Sequence, residues 1–332
     1  MRLRWVGLLF IGLIGLVVAL GIRLPVMASS PRFTLPIGCQ LGKDCFIQLY
    51  SDRDPGPGES DWGCGRLTYD QHKGTDFAIA NKVIMAKGVR VLAAAAGTVL
   101  RTRDGVIDRP VTSADDPRVV GQECGNGVVI DHGEGWQSQY CHLRQGSVMV
   151  KPGDRITRAA PLGLVGQSGL ASFPHVHFEL RHQNQIIDPF MGDRPGNACQ
   201  TKPQSLWQSP LTYVPTGWID GGFSDQVPTL ELAEQGILNQ AQFSSQATRL
   251  VFWVRVFGVL AGDQETLRIL RPDSTVYSER QHTISKPSKT WFSYLGKNNS
   301  QSLAPGNWLG EYTLRRGKQV LVNQRKTISL EK

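Results

Sequence analysis

The sequence predicts a mainly β protein with two folded regions, of which the second is a small immunoglobulin-like β-sandwich. Its 332 residues exceed the length of one ordinary domain, and 40% of them are hydrophobic, which is enough to build apolar cores. Short apolar runs rich in β-branched residues alternate with glycine-containing turns from Tyr69 onward, as strands do. The composition changes near 192–209, where a polar stretch with proline indicates a linker.

The first folded region is expected to span 31–200 and to consist mostly of short strands. Length and β-branched content favour strands over helices for six runs, which are Thr75–Ala80, Val89–Leu100, Gly127–Asp131, Gln137–Leu143, Pro161–Val165 and His175–Leu180. The polar stretch 101–124 is long for a connection within a compact sheet. It is either a loop that lines a site or a simple surface insertion.

The second region, 210–332, also carries short strand candidates that are separated by turns. In its first strand, apolar residues alternate with others as in a half-buried strand; they are Leu250, Phe252, Val254 and Val256. Further strands are predicted at 266–271, 274–280, 290–295, 310–314, 318–323 and 326–330. A short helix is predicted at Thr229–Gly236, near the junction of the two regions. Strands at this spacing are typical of a sandwich.

The N-terminal segment 1–28 has the pattern of an export signal. Arg2 and Arg4 precede an apolar run from Trp5 to Ile22, and small residues that suit signal peptidase follow at 26–28. The run is longer than a typical signal core of about 7–15 residues and approaches the ~20 residues that span a bilayer. The segment is therefore either a cleaved signal peptide or a retained membrane anchor, and both alternatives export the rest of the chain.

The distribution of charge argues against nucleic acid as a partner. Lysine and arginine number 36 against 28 aspartates and glutamates, which gives a formal net charge of +8. The basic residues are scattered and form no runs interleaved with aromatics, as a nucleic-acid surface would require. The modest excess of positive charge suits approach to an anionic cell wall or membrane surface.

The six cysteines predict disulfide bonds. All of them lie between 39 and 199, their number is even, and export places them in an oxidising environment. A zinc site built from cysteines is disfavoured because the chain has no C-x-x-C pair. Cys124 and Cys141 flank a predicted hairpin and form the best-supported pair. Cys39–Cys45, with Cys64–Cys199 left over, is a weaker prediction.

Histidines with informative spacing mark the candidate site. His72 and Asp76 are four residues apart in the stretch His-Lys-Gly-Thr-Asp, where glycine and β-prone residues argue against a helix. His175 and His177 are two residues apart in a predicted strand, so both imidazoles point to the same face. His142, at the end of another predicted strand, is a further candidate.

This set of side chains fits a hydrolytic zinc site. Such a site uses three nitrogen or oxygen ligands and keeps a fourth position for water, whose pKa falls to about 7. Two histidines and Asp76 meet that requirement. A remaining histidine is then available for proton transfer or for stabilising an oxyanion. The ligand count alone leaves open whether His175 or His177 is the ligand.

Residues from about 66 to 190 resemble the lysostaphin/LytM-type zinc metallopeptidase domain, the family of bacterial peptidoglycan endopeptidases. The match covers a little over a third of the chain and leaves out the C-terminal region. Its motifs are specific in combination, and the stretches that carry it are His72–Phe77, Gly127–Gly135, Tyr140–Leu143, and Gly163–Gly169 leading into Pro174–Leu180.

The resemblance implies a compact antiparallel β domain in which one Zn²⁺ is held by His72, Asp76 and His177. His142 and His175 would form the catalytic pair, assisting attack of the zinc-bound water on an amide and stabilising the oxyanion. Which of the two is the general base stays open. The implied substrates are the peptides of peptidoglycan stems or cross-bridges, and the implied location is the periplasm or cell envelope.

Three other polar residues lie near these motifs. His132 falls in the hairpin turn, where the family commonly has a histidine, and is expected to be structural. His182 is expected to be exposed. Glu179 shares a strand face with His177, and it either orients a ligand imidazole or is a carboxylate at the surface or the edge of the core.

Two other functions compete with peptidoglycan hydrolysis. A non-catalytic regulator or wall-binding module could use the same groove, although the complete set of five site residues argues against this alternative. A secreted protease of general proteins is the third hypothesis. Digestion of sacculi and of casein in parallel would distinguish the first hypothesis from the third.

Overall fold

The computed structural model describes Met1 and residues 30–192, 199, 203–238, 240 and 242–331. Nearly all of the predicted signal peptide or anchor, 1–28, lies outside these residues. Within the described ranges no helix has both the length and the apolar character that a bilayer span requires. The residues from Pro31 onward form one compact unit. The mainly β prediction is confirmed, because eighteen strands and two short helices make up the described secondary structure.

The first part of this unit contains ten strands and one short helix. They are β1 Phe46–Leu49, β2 Thr75–Ala78, α1 Lys82–Lys87, β3 Arg90–Leu92, β4 Gly97–Arg103, β5 Asn126–Gly133, β6 Trp136–Leu143, β7 Arg155–Ile156, β8 Pro161–Leu164, β9 His175–His182 and β10 Gln185–Ile187. The unpredicted helix α1 begins where the side chain of Asn81 accepts a hydrogen bond from Ile84 N, which satisfies an otherwise unpaired donor of the first turn.

An antiparallel sheet in the order β1-β2-β9-β6-β5-β4-β7 positions the candidate site. Asp76 on β2 lies opposite His177 on β9, and His177 lies opposite Cys141 on β6. Because opposed residues share a face of the sheet, these three side chains form one row across three strands. The other face is apolar: Phe178 of β9 and Tyr140 of β6 are fully buried in the core beneath it.

The second part contains eight strands in two sheets, with one helix. The elements are β11 Gly217–Ser224, α2 Leu230–Gln235, β12 Gln242–Ser244, β13 Arg249–Val259, β14 Gln264–Leu270, β15 Val276–Thr283, β16 Ser288–Asn298, β17 Gly306–Arg316 and β18 Gln319–Glu331. The sheets have the orders β11-β13-β16 and β12-β18-β17-β14-β15. They share one apolar core, in which Phe252 and Val254 of the first sheet meet Leu267 and Trp308 of the second. This arrangement is a β-sandwich, and its immunoglobulin-like character stays a prediction.

Several element boundaries differ from the sequence predictions. The predicted strand Val89–Leu100 is divided into β3 and β4 by four residues, whereas 318–323 and 326–330 are parts of the single strand β18. Strand β13 is buried on both faces and not half-buried, because Trp253 on its other side packs with Leu238 of the segment after α2. The predicted helix is confirmed, with Thr229 as its N-cap.

The sandwich packs against the β1–β2 edge of the first sheet. The rings of Phe46 on β1 and Phe257 on β13 stack with centroids 5.3 Å apart. Gln48 Nε2 donates a hydrogen bond of 2.8 Å to the carbonyl of Lys289. Arg255 donates one of 2.5 Å to the carbonyl of Ala80, two residues after β2. The two cores are therefore in direct contact, and the domain boundary between 200 and 210 stays a prediction.

Three disulfide bonds connect the cysteines in the predicted pairs. They are Cys39–Cys45, Cys64–Cys199 and Cys124–Cys141, and no cysteine is free. All three lie in the first part of the compact unit. Cys141 is in β6, and Cys124 precedes β5, so the third bond joins the start of the hairpin to its second strand.

Candidate metal centre

His72, Asp76 and His177 converge at one point on the open face of the sheet. His72 lies in the loop before β2, and its Nδ1–H donates a hydrogen bond of 2.7 Å to the carbonyl of Tyr50, which leaves Nε2 directed to the site. Gly74 allows this loop to pass close to β9. A Cβ there would lie 2.5 Å from the carbonyl of Phe178 and 2.7 Å from the His177 ring, so the motif requires glycine at this position.

The distances between the three ligand atoms fit a tetrahedral cation. Asp76 Oδ1 lies 3.2 Å from His72 Nε2 and 2.9 Å from His177 Nδ1, and the two nitrogens are 3.2 Å apart. In a tetrahedral zinc site with bonds of about 2.0–2.1 Å, two donor atoms are separated by about 3.3 Å. These two imidazoles and the carboxylate can therefore hold one divalent metal ion after a shift of a few tenths of an ångström.

His142 and His175 lie beside this group with their rings in contact, 4.6 Å between centroids and tilted by 48° to each other. Each donates from Nδ1 to a main-chain carbonyl at 2.8 Å, His142 to Ser168 and His175 to Phe173. A carbonyl can only accept, so the proton of each neutral ring is on Nδ1 and Nε2 carries a lone pair. His175 Nε2 lies 3.6 Å from Asp76 Oδ1. Both rings thus present an acceptor nitrogen beside the metal-binding group.

The electrostatics of the cluster separate one charged pair from two neutral imidazoles. Burial alone would raise the pKa of Asp76, but the neighbouring His72, His175 and His177 hold that pKa well below its ordinary value. Burial favours neutral His177, yet the carboxylates of Asp76 and Glu179 raise its pKa to about 9. Burial lowers the pKa of His142 and of His175, so both rings are neutral at pH 7.

The histidine cluster opens into a small cleft with a volume of about 180 Å³. One wall carries Tyr69, whose ring stacks on His72 with 4.4 Å between centroids. The lining also includes Glu123 and Cys124, which end the long connection after β4. This connection therefore lines the site at its C-terminal end and is not a simple surface insertion. Near its start the connection is fixed by Asp108, whose carboxylate accepts hydrogen bonds from Gln167 N and Gln145 N.

The other histidines of the chain are outside the cluster. His132 bonds to the Ala96 carbonyl at 2.8 Å and to Ser138 Oγ at 2.7 Å, so both its nitrogens are used in the hairpin. His182 was expected to be exposed, but it is half-buried, because its ring stacks on Trp136 at 4.2 Å. His282 is exposed on the sandwich.

Sequence reasoning named Glu179 as a candidate partner of His177 but missed the other partners that orient the site imidazoles. Three of these partners are main-chain carbonyls, those of Tyr50, Phe173 and Ser168. Every residue has a carbonyl, so no residue type signals this role, and only the fold brings these particular ones to the rings. Sequence reasoning also missed Tyr69, a residue of the cleft wall whose aromatic ring is the one local signal.

Part of this chain is similar to known proteins. Residues 70–189 match the sequence profile of Peptidase family M23. The peptidoglycan DD-endopeptidase ShyA of Vibrio cholerae serotype O1 is 34% identical over 124 residues, which are 37% of this chain and 23% of ShyA. The murein hydrolase activator EnvC of Escherichia coli K12 is 37% identical over 62 residues, 19% of this chain and 14% of EnvC. This chain thus spans less than a quarter of either relative. A crystal structure of a zinc containing peptidase from Vibrio cholerae is 25% identical, with a TM-score of 0.32, over 49% of this chain and 41% of that one.

Proposed function

Residues 70–189 form a domain of Peptidase family M23, and we propose that the chain is an exported zinc metalloendopeptidase that hydrolyses peptide bonds in peptidoglycan stems or cross-bridges. The observation that carries the proposal is the convergence of His72 Nε2, Asp76 Oδ1 and His177 Nδ1. The separations between these atoms are close to those between the ligand atoms of one tetrahedral ion. The N-terminal pattern of residues 1–28 is the basis for proposing export.

Zinc is the metal that suits this ligand set best. Two imidazole nitrogens and one carboxylate oxygen are the ligands that zinc hydrolases commonly use, whereas Mg²⁺ and Ca²⁺ prefer oxygen ligands. A bound zinc ion would act as a Lewis acid and lower the pKa of a water molecule to about 7. His72, Asp76 and His177 would hold the ion, and the burial of the first two and the partial burial of His177 restrict competition from solvent.

His142 and His175 would carry the proton transfers. Each has its proton fixed on Nδ1 by a main-chain carbonyl, so each can accept a proton at Nε2. Once protonated, the same nitrogen can donate a hydrogen bond to the negative oxygen that develops on the attacked amide. Their lowered pKa values keep both rings neutral before the reaction begins. The assignment of the general base between the two stays open.

The proposed substrate class rests on similarity and on the shape of the cleft. ShyA, which shares 34% identity over the matched residues, is a peptidoglycan DD-endopeptidase. The cleft is small and its lining includes the polar side chains of Lys73, Glu123 and Gln139. Such a groove suits an extended peptide with charged and amide groups better than it suits a large apolar side chain.

A regulatory role is the second candidate, because the similarity to EnvC, a murein hydrolase activator, covers 62 residues at 37% identity. An activator needs neither a metal-binding group nor paired neutral imidazoles. Both are present here, with the five side chains in contact. The geometry therefore supports hydrolysis over activation.

Digestion of purified sacculi tests the proposal against both alternatives. The zinc-loaded chain is expected to release soluble muropeptides, to leave casein intact, and to lose activity when a chelator removes the metal. Mass spectrometry of the products would identify the bond that is cleaved. Failure to release muropeptides at any zinc concentration would contradict hydrolysis, and digestion of casein at a similar rate would indicate a general protease.

A further inference from the structure

The four site histidines differ in how their imidazoles are oriented. Three rings, those of His72, His142 and His175, donate from the nitrogen remote from the cluster to a main-chain carbonyl at 2.7–2.8 Å. His177 uses Nδ1 toward Asp76, at 2.9 Å. Its Nε2 faces a carboxylate instead of a carbonyl.

That carboxylate belongs to Glu179, whose Oε2 lies 4.0 Å from His177 Nε2. Both residues are on β9, two positions apart, so they share the face of the sheet that forms the cleft. The carboxylate of Glu179 is buried, with 5% of the side chain exposed. A side-chain movement of about 1 Å would bring the two atoms to hydrogen-bond distance.

Arg181 fixes the orientation of this carboxylate. Its guanidinium pairs with Oε1 of Glu179, and this leaves Oε2 on the side of His177. Gln139 lies opposite Glu179 on β6, but its amide donates to Cys141 Sγ at 3.1 Å. Glu179 therefore has one oxygen engaged by a cation and the other turned toward an imidazole.

We propose that Glu179 is a positioning residue for His177: it accepts the Nε2–H of the ring and thereby keeps Nδ1 directed at the ion that His72 and Asp76 share. The inference rests on the proposed metal site. Ligand histidines commonly donate their second N–H to a carboxylate or carbonyl, and loss of such a partner typically weakens metal binding about 10–100-fold. A charged acceptor also raises the basicity of the ring, which strengthens its bond to a cation.

Zinc affinity, measured by competition with a chelator, tests this role. Glu179→Ala is expected to raise the Kd for zinc about 10–100-fold. Glu179→Gln keeps an acceptor oxygen but removes the charge, so a smaller increase is expected, and it remains informative if the alanine variant fails to fold. The matched control is Glu123→Gln, which removes the same charge from the same cleft, where Glu123 accepts a hydrogen bond from Gly121 N. It is expected to leave the Kd within about twofold.

A second readout follows the geometry of His177 directly. Replacement of zinc by Co²⁺ gives a visible absorption spectrum that depends on ligand geometry, and Glu179→Ala is expected to shift it while Glu123→Gln does not. Unchanged affinity and spectrum in both Glu179 variants would overturn the proposal, as would an equal loss of affinity in the Glu123 control. His177→Ala tests the proposed metal site separately from the proposed role of Glu179. If that variant bound zinc as tightly as the wild type, the proposed metal site itself would be wrong.

Discussion

At the scale of single residues, the backbone of His142 shows how the site is built. Its φ angle is +63°, in the left-handed region that residues other than glycine seldom adopt. Its N–H donates to the Cys124 carbonyl at 2.8 Å and its Nδ1–H to the Ser168 carbonyl. These two hydrogen bonds hold the ring beside His175. Strained conformations of this kind are maintained only where the surrounding structure fixes them, and they are common at functional sites.

The first prediction is that His142→Ala separates metal binding from catalysis. The ring is adjacent to the proposed ligands but is not one of them, so zinc content should stay at the wild-type level. Muropeptide release should fall about 10²–10⁴-fold, the usual contribution of a general acid–base group. The control is His282→Ala, which removes an exposed imidazole from the sandwich and should keep full activity. Loss of zinc together with activity would contradict the assigned role.

The second prediction concerns pH and Asp188, a buried carboxyl. Burial raises its pKa to about 6 from an ordinary value of 3.8, against the opposing effects of the Phe190 N–H and Arg53. The folded state thus binds the proton more tightly than the unfolded chain. Protonation stabilises the fold fully below about pH 4, and this contribution is lost as the pH rises through about 6.

Asp188→Asn removes this titration, because an amide stays neutral at every pH. The free energy of unfolding of the variant, relative to the wild type, should increase by up to about 3 kcal/mol between pH 4 and pH 7, since one pKa unit is worth about 1.4 kcal/mol. Urea unfolding of both proteins at pH 4, 5.5 and 7 measures the difference. A difference that is constant with pH would show that Asp188 titrates normally in the folded state.

At the scale of elements, the Cys124–Cys141 disulfide fixes the wall of the cleft to the strand that carries His142. The third prediction is that replacing both cysteines by serine lowers the free energy of unfolding by about 3 kcal/mol, as expected for a loop of this length. Peptidoglycan hydrolysis should also fall, because the Cys124 carbonyl would no longer be held against His142 N. Zinc content should not change, since neither cysteine is a proposed ligand.

The double serine variant of Cys39 and Cys45 is the control for this prediction. Cys39 and Cys45 are 6 residues apart in the sequence, whereas Cys124 and Cys141 are 17 apart. The shorter loop gives an expected loss of stability of about 2 kcal/mol. Neither cysteine lines the cleft, and hydrolysis should be retained. Equal loss of activity in both double variants would mean that general stability, and not the cleft wall, explains the effect.

Much of the element order and of the candidate site can be predicted from the sequence. The stretches around Asp76 and His177 have β-branched residues and alternation, which indicate strands, and the period of two then places His175 and His177 on one face. Strand β1 is different. Its four residues, Phe46–Leu49, form a strand because they pair with β2, and no local pattern reveals that partner.

At the scale of the whole molecule, the ion pair of Arg255 and Asp220 within the sandwich also makes hydrogen bonds to the chain just beyond the strand of Asp76. Arg255 on β13 is 3% exposed; it bonds Asp220 through two nitrogens and donates to the Ala80 carbonyl just beyond β2. The side chain of Asn81 also reaches Asp220, at 3.3 Å. The sandwich is therefore bound to the edge of the site-bearing sheet by charge-assisted hydrogen bonds as well as by apolar contacts.

The fourth prediction is that Arg255→Ala lowers the free energy of unfolding by about 3–5 kcal/mol, because it leaves the largely buried Asp220 carboxylate without its cation. Arg268→Ala is the matched control. Arg268 pairs with Glu279 at 3.0 Å on the outer face of the other sheet, with 39% of its side chain exposed, and its loss should cost less than about 1 kcal/mol. Urea unfolding of both variants makes the comparison, and equal losses would contradict a structural role for the buried pair.

The claim that His72, Asp76 and His177 together hold one zinc ion is tested most directly by metal analysis of the purified chain. We expect one zinc per chain in the wild type and in His142→Ala, and a large loss in Asp76→Ala, whose carboxylate lies between the two ligand imidazoles. A folded Asp76→Ala variant that retained one zinc per chain would contradict the claim.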